Sequence, residues 1–233
     1  MITIKGKKSD KMKRVGLFVG IDKYKNCLSD PRGTVNDAKH AMEAFAAAGF
    51  EVEFLQNEEA DSNTITFKIL SMMDDLSEGD TFVFYFSGFG KAANNNNYLC
   101  CANSLTDLNL YDVDAIPLSR LTALTDRVKN LNRFFVFDCS FSQIPSVENQ
   151  NIKAPLFLTA CSPGENAYAD PESRQSCFGK AFLKSIQDPS VKSWEDLVKK
   201  LEITDSHKPQ HASWYGNFSQ LNDFPLFEHW KSE

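Results

Sequence analysis

Four nearly unbroken apolar runs punctuate the chain: RVGLFVG at 14–20, TFVFYFSG at 81–88, RFFVFDCS at 133–140 and PLFLTACS at 155–162. A strand that alternates polar and apolar residues can lie on a surface, but a run that is apolar at successive positions needs cover on both faces. The segments between them have a different period. In DPRGTVNDAKHAMEAFAAAGFEVEFL (30–55), Pro31 and Gly33 make a turn, and Thr34 or Asn36 caps a helix. Ala38, Met42, Phe45 and Ala46 form the apolar face of that helix. Gly49 stands where a helix-ending glycine belongs, and EVEFL makes a further strand. The unit repeats: Asp61 or Ser62 starts a helix through Ile65, Ile69, Met72, Met73 and Leu76, and Gly79 ends it. A helix from about Leu118 to Asn130 precedes the third run, and helices near 176–187 and 193–201 follow the fourth. In the last of these, Trp194, Leu197, Val198 and Leu201 face the sheet.

This alternation, with short glycine turns, predicts an α/β fold with an open, mainly parallel sheet and helices on both faces. Functional groups in such sheets gather beyond the carboxyl ends of the strands. Two strand exits are thereby singled out, Ser87-Gly88-Phe89-Gly90 and Asp138-Cys139-Ser140-Phe141-Ser142. The run NNNN at 94–97 reads as a tight polar loop.

Charge and cysteine usage narrow the function classes. The net charge of −6 argues against nucleic-acid binding, which needs a concentrated basic face. The one basic stretch, KGKKSDKMKR, reads as a solvated lead-in to the first strand. No apolar segment has the length of a membrane-spanning helix, and the N-terminus lacks a signal-peptide core, so no membrane association and a cytoplasmic location are expected. Cys27, Cys100, Cys101, Cys139, Cys161 and Cys177 read as buried, reduced thiols. Cys100 and Cys101, adjacent on a strand, are expected to point to opposite faces, and no pair has zinc-ligand spacing. GIDKYKN follows the first run in place of a glycine-rich phosphate loop, so no nucleotide is implied.

Taken together, these motifs resemble the caspase/metacaspase peptidases (clan CD, family C14). VGLFVGIDKYKN and PRGTVNDAKHAMEAFAAAGFEV are similar to that family's opening strand, loop and first helix. FVFYFSGFG resembles the strand ending in Ser-Gly-His-Gly, and FFVFDCSFSQ the strand ending in the nucleophilic cysteine. LFLTACSPGENAYA, CFGKAFLKSI, SWEDLVKKL and KPQHASWYGN look like the small-subunit portion. The family places its histidine roughly 50 residues before its cysteine, and positions 89 and 140 are 51 apart. The resemblance implies one caspase-like three-layer α/β/α sandwich. It divides into a basic lead-in at 1–13, a large-subunit part at 14–141, a linker at 142–153 and a small-subunit part at 154–233.

The departures from the family fall at defined positions. Phe89 stands where the histidine belongs and Ser140 where the nucleophilic cysteine belongs; Phe141 and Gln143 replace the residues after it. A serine hydroxyl is far less acidic than a thiol and depends even more on a positioned base. Here the serine arrives and the base leaves. Of His40, His207, His211 and His229, none belongs at the first exit, and Cys139 is expected to face away from Ser140. The resemblance therefore implies a catalytically inactive pseudopeptidase that regulates, scaffolds or binds a protein or peptide, including an active homologue. The alternative is an active cysteine endopeptidase in which Ser140 has been substituted for the nucleophile.

The metacaspase pocket for basic side chains matches Asp37 and Ser87, while its later acidic pair reads Ala160-Cys161-Ser162-Pro163-Gly164, with Glu165 nearby. Asp37 and Ser87 therefore either bind peptide or brace the first helix and local backbone. Where some metacaspases bind calcium, this chain has Ser119 and Arg120, with Asp112 and Asp114 close by, so neither a metal nor another cofactor is implied.

Overall fold

The computed structural model describes residues 12–25, 33–93, 96–104, 114–140, 154–170, 172–204, 206 and 208–216. Strands and helices are numbered along the chain. The four apolar runs become β1 (Arg14–Gly20), β3 (Thr81–Ser87), β7 (Asn132–Asp138) and β8 (Leu156–Thr159). Flanked by β2 (Glu51–Gln56) and β11 (Ser213–Tyr215), they form one six-stranded sheet in the order β11-β8-β7-β3-β1-β2, while β9 (Ala169–Asp170) and β10 (Gln175–Ser176) pair separately. All neighbours run parallel except β11, which is antiparallel to β8.

The period-two alternation of each strand divides its side chains between two cores. On one face, Leu17, Phe84, Phe135 and Phe137 pack with Ile65, Ile69 and Met73 of α2 (Ser62–Asp75) and Leu118 and Leu121 of α3 (Leu118–Thr125). On the other, Phe18, Tyr85, Phe134 and Val136 meet three helices. These are α1 (Thr34–Ala47), α4 (Cys177–Ile186) and α5 (Trp194–Lys200), which contribute Phe45, Phe182, Trp194 and Leu197. The result is a three-layer α/β/α sandwich. Trp194 stacks on Phe134 at 4.2 Å and 9°, and Val198 and Leu201 pack at the border of the same core.

The helix termini follow from local chemistry. Asp61 caps α2 by accepting from the N–H groups of Asn63 and Thr64; Ser193 caps α5 in a reciprocal capping box with Asp196. Gly49 takes φ +83° after α1, where the N–H groups of Gly49 and Phe50 close on Ala46 and Phe45.

Four sequence expectations change. Gly33, not Thr34 or Asn36, is the α1 cap, because the Thr34 hydroxyl is spent on the Ile21 carbonyl and the Asp22 carboxylate. The helix expected to reach Asn130 ends at Thr125; Asn130 adopts φ +52° in a turn, and its carbonyl accepts from the N–H of Gly79 after α2. Asn96 and Asn97 belong to a strand, not a loop. They begin β5 (Asn96–Cys100), the middle of a small antiparallel sheet with β4 (Gly90–Ala93) and β6 (Ala115–Pro117). Finally, Cys100 and Cys101 lie in the same apolar cluster. The strand ends at Cys100, and Cys101 turns with Ser104, whose hydroxyl accepts the Cys101 N–H at 2.7 Å.

Cys27, Asp112, Phe141, His207, His229 and the 142–153 linker lie outside the described residues. Among the described residues, no helix is long and apolar enough to cross a membrane.

Candidate functional site

Strand register sets the geometry. Gly20, Ser87 and Asp138 stand level across β1, β3 and β7, each closing its strand on the α1 face. A β-carbon on Gly20 would lie 2.7 Å from the Cα of Val35. The bare glycine therefore lets the first turn of α1 rest directly on the sheet. That contact carries Asp37, one turn into the helix and almost fully buried at 1% exposure, onto the level of the strand exits.

Five polar residues meet there: Asp37, Tyr85, Ser87, Asp138 and Ser176. Asp138, buried at 4% exposure, accepts through Oδ2 from the hydroxyls of Tyr85 (3.4 Å), Ser87 (3.2 Å) and Ser176 (2.5 Å). Ser176 is also the N-cap of α4, with its Oγ accepting from the Gly179 N–H at 2.6 Å. Its own N–H donates to Asp37 Oδ2 at 2.8 Å. One residue thus ties both carboxyl groups together. Asp37 Oδ1 is buried and has no hydrogen-bond partner among the described residues. The Gln175 side chain approaches Asp37 closely enough to lower its pKa but makes no well-formed bond to Oδ1, and it bonds to His40 Nδ1 at 3.1 Å.

No Lys, Arg or His forms an ion pair with either acid among the described residues. Burial therefore pushes both carboxyls up. Asp37 rises to about 9, first through burial and then through the charge of Asp138, with Asp22 adding to it. Asp138 rises less, to about 6, because burial is opposed by the hydroxyls of Ser176, Ser87 and Tyr85.

The first strand exit turns the other way. Phe89 is half-buried, packed against the α2-side core, with its ring 5.0 Å from that of Tyr24. Its N–H donates to the Tyr24 hydroxyl at 2.8 Å, and its carbonyl accepts from Cys100 N–H at 2.9 Å. At the second exit, Cys139 points into that same core, and burial raises its thiol pKa well above the ordinary value. Ser140 is half-buried, and its Oγ accepts the Ala167 N–H at 2.9 Å. Neither histidine of the described residues bonds to it: His40 holds Gln175, and His211 pairs with Glu165 at 2.7 Å.

The structure thus joins Asp37 and Ser87 through Asp138 and Ser176, whereas the Glu165 carboxylate bonds to His211 and the Ser162 N–H, tying the loop after β8 to the segment before β11. Sequence reading passed over Asp138 as a binding residue, although an aspartate ending the run FFVF was the available signal. Ser176 was legible only as a helix start. Among the described residues, no group of three or more His, Cys, Asp or Glu is placed to hold a metal.

A family model of the caspase domain matches residues 13–210. Among solved structures, protein GSU0716 from Geobacter sulfurreducens superposes with a TM-score of 0.68 at 13% identity, covering 87% of this chain and 92% of its own. The Drosophila initiator caspase Dronc superposes with a TM-score of 0.61 at 17% identity, covering 93% of this chain and 92% of its own. At these identities the likeness is one of fold. No curated protein sequence matches.

Proposed function

Because the chain belongs to the caspase domain family, we propose that it is a non-hydrolytic member, a pseudopeptidase that binds a protein or peptide segment instead of cutting it. The observation that carries this reading is the state of Ser140. Its oxygen accepts a backbone N–H, and no histidine, cysteine or carboxylate among the described residues bonds to it. A serine becomes a nucleophile through a base that removes its proton, and loss of one member of such a pair removes several orders of magnitude from turnover. The residue matching the family's histidine is Phe89, whose ring rests on Tyr24.

The buried Asp37–Ser87–Asp138 cluster supports the binding half of the proposal. Two carboxyls that pair with no cationic side chain among the described residues suit a Lys or Arg side chain. Glu165 is engaged with His211. The partner is then a protein with a basic segment, and an active homologue fits that description. Five described cysteines, all buried, agree with a cytoplasmic location.

Incubation of the full chain with Arg-, Lys- and Asp-terminated peptide substrates tests the proposal. No turnover is expected, whereas turnover abolished by Ser140→Ala overturns it. The competing reading, an active peptidase with Ser140 in place of its cysteine, is supported by the position of Ser140 at the end of β7. Ser140→Cys separates the two, because cleavage by that single variant favours the peptidase.

A further inference from the structure

Two carboxyl groups shielded from water and held by one residue pose an electrostatic problem. Taking an ion out of water costs several kcal/mol unless an opposite charge or a proton offsets it, as the general magnitudes of about this size for buried ions imply. The amino end of α4, with Ser176 as its cap, supplies only the partial positive charge of a helix terminus. The remaining groups around the pair add none. Asp22 contributes a further acid from the loop after β1. Tyr85 on β3 and Cys139 after β7 are both pushed upward by burial and stay neutral. His40, on α1 itself, contacts Gln175 and not the carboxyls. Lys180 on α4 is paired with Asp170 at 2.7 Å, and Arg133 on β7 is paired with Asp126.

We propose that the empty Asp37–Asp138 pair carries one proton and loses it to solvent when the guanidinium or ammonium of a peptide side chain enters. Binding a basic peptide is thereby coupled to proton release and tightens as pH rises. This inference rests on the reading of the cluster as a site for basic side chains, and adds its regulation. Geometry carries it: Oδ1 of Asp37 is the carboxyl oxygen of the pair that is buried with no hydrogen-bond partner among the described residues, while Oδ2 of each acid is already occupied by Ser176. A cation and a proton compete for the same uncompensated charge, so one excludes the other.

Calorimetric titration of the full chain with an acetylated, amidated peptide holding a single arginine tests this directly, since arginine does not titrate in the range. Run near neutral pH in two buffers of different ionisation enthalpy, it is expected to show release of about one proton and roughly tenfold tighter binding per pH unit. In Asp37→Asn, a near-isosteric change whose folding is checked by urea denaturation, binding is expected to weaken and proton release to fall close to zero. The same peptide with norleucine in place of arginine is expected not to bind. Binding of the arginine peptide with no proton exchange and a flat pH profile overturns the coupling and leaves the basic-side-chain reading in place. Absence of binding at every pH overturns both. A carbon-13 carboxyl titration of the free protein gives a ligand-free check: one aspartate is expected to titrate far above the others and to vanish in Asp37→Asn. If all aspartates titrate in the ordinary range, the shared proton does not exist.

Discussion

Oδ1 of Asp37 lies 2.7 Å from the point where a β-carbon on Gly179 would sit. Helices α1 and α4 therefore meet through a carboxyl group on one and the lack of a side chain on the other. In most helices, glycine to alanine adds up to about 1 kcal/mol of stability. Gly179→Ala is expected to do the reverse and cost about 1–3 kcal/mol, because the added methyl must displace a buried carboxyl and the Ser176 hydroxyl. Urea midpoints decide the sign. A gain in stability would show that the carboxyl moves aside freely.

The same acids make stability depend on pH in an unusual direction. Both have folded pKa values above the unfolded value, so the folded protein binds more protons. Their contribution is fully present below about pH 4 and is lost as pH rises through about 6 for Asp138 and about 9 for Asp37. The unfolding free energy is expected to fall with pH, by up to about 2.7 kcal/mol per unit around pH 5, where both acids hold a proton only in the folded protein, and by up to about 1.4 kcal/mol per unit between about pH 6 and 9. Asp37→Asn is expected to flatten the part of that slope above about pH 6. Denaturation at several pH values measures it, and a slope unchanged by the substitution refutes the assignment.

Phe89 is expected to matter to stability more than to chemistry. Phe89→Ala exposes one margin of the core beside Tyr24 and is expected to cost about 1–2 kcal/mol, less than a fully buried ring. Tyr24→Phe removes the acceptor of the Phe89 N–H and is expected to cost about 1 kcal/mol. Neither Phe89→His nor Ser140→Cys alone is expected to produce peptide cleavage, as a fluorogenic assay reads.

Glu165 and Asp37 should separate cleanly in a binding assay. Glu165→Gln disturbs an exposed pairing with His211, worth under about 1 kcal/mol, and is expected to leave affinity for an arginine peptide within about twofold. Asp37→Asn is expected to weaken it at least about tenfold, the effect of roughly 1.4 kcal/mol. Equal effects would mean that both acids share one pocket.

Much of the sandwich could be read in advance, because buried parallel strands must be apolar on both sides. RVGLFVG, TFVFYFSG and RFFVFDCS betray themselves for that reason alone. The small antiparallel sheet did not show, since Asn96 and Asn97 look like turn residues and Ala115–Pro117 is too short to display a period. At the site, Asp37 and Ser87 could be named from their motifs. Their union through Ser176, separated from Asp37 by 139 positions, could not, because nothing local in CFGKAF announces that its cap reaches across to another helix. The engagement of Glu165 was hidden for the same reason, since its carboxylate bonds to the ring and N–H of His211, 46 positions away.

The Tyr24–Phe89 contact means that position 89 answers first to shape. The ring closes the margin of a core, so any residue there must fill that volume before it can do anything else. A histidine at position 89 would set its polar edge against a buried phenol, and is expected to weaken the fold. On the non-hydrolytic reading proposed above, stability alone then opposes an imidazole at this strand exit.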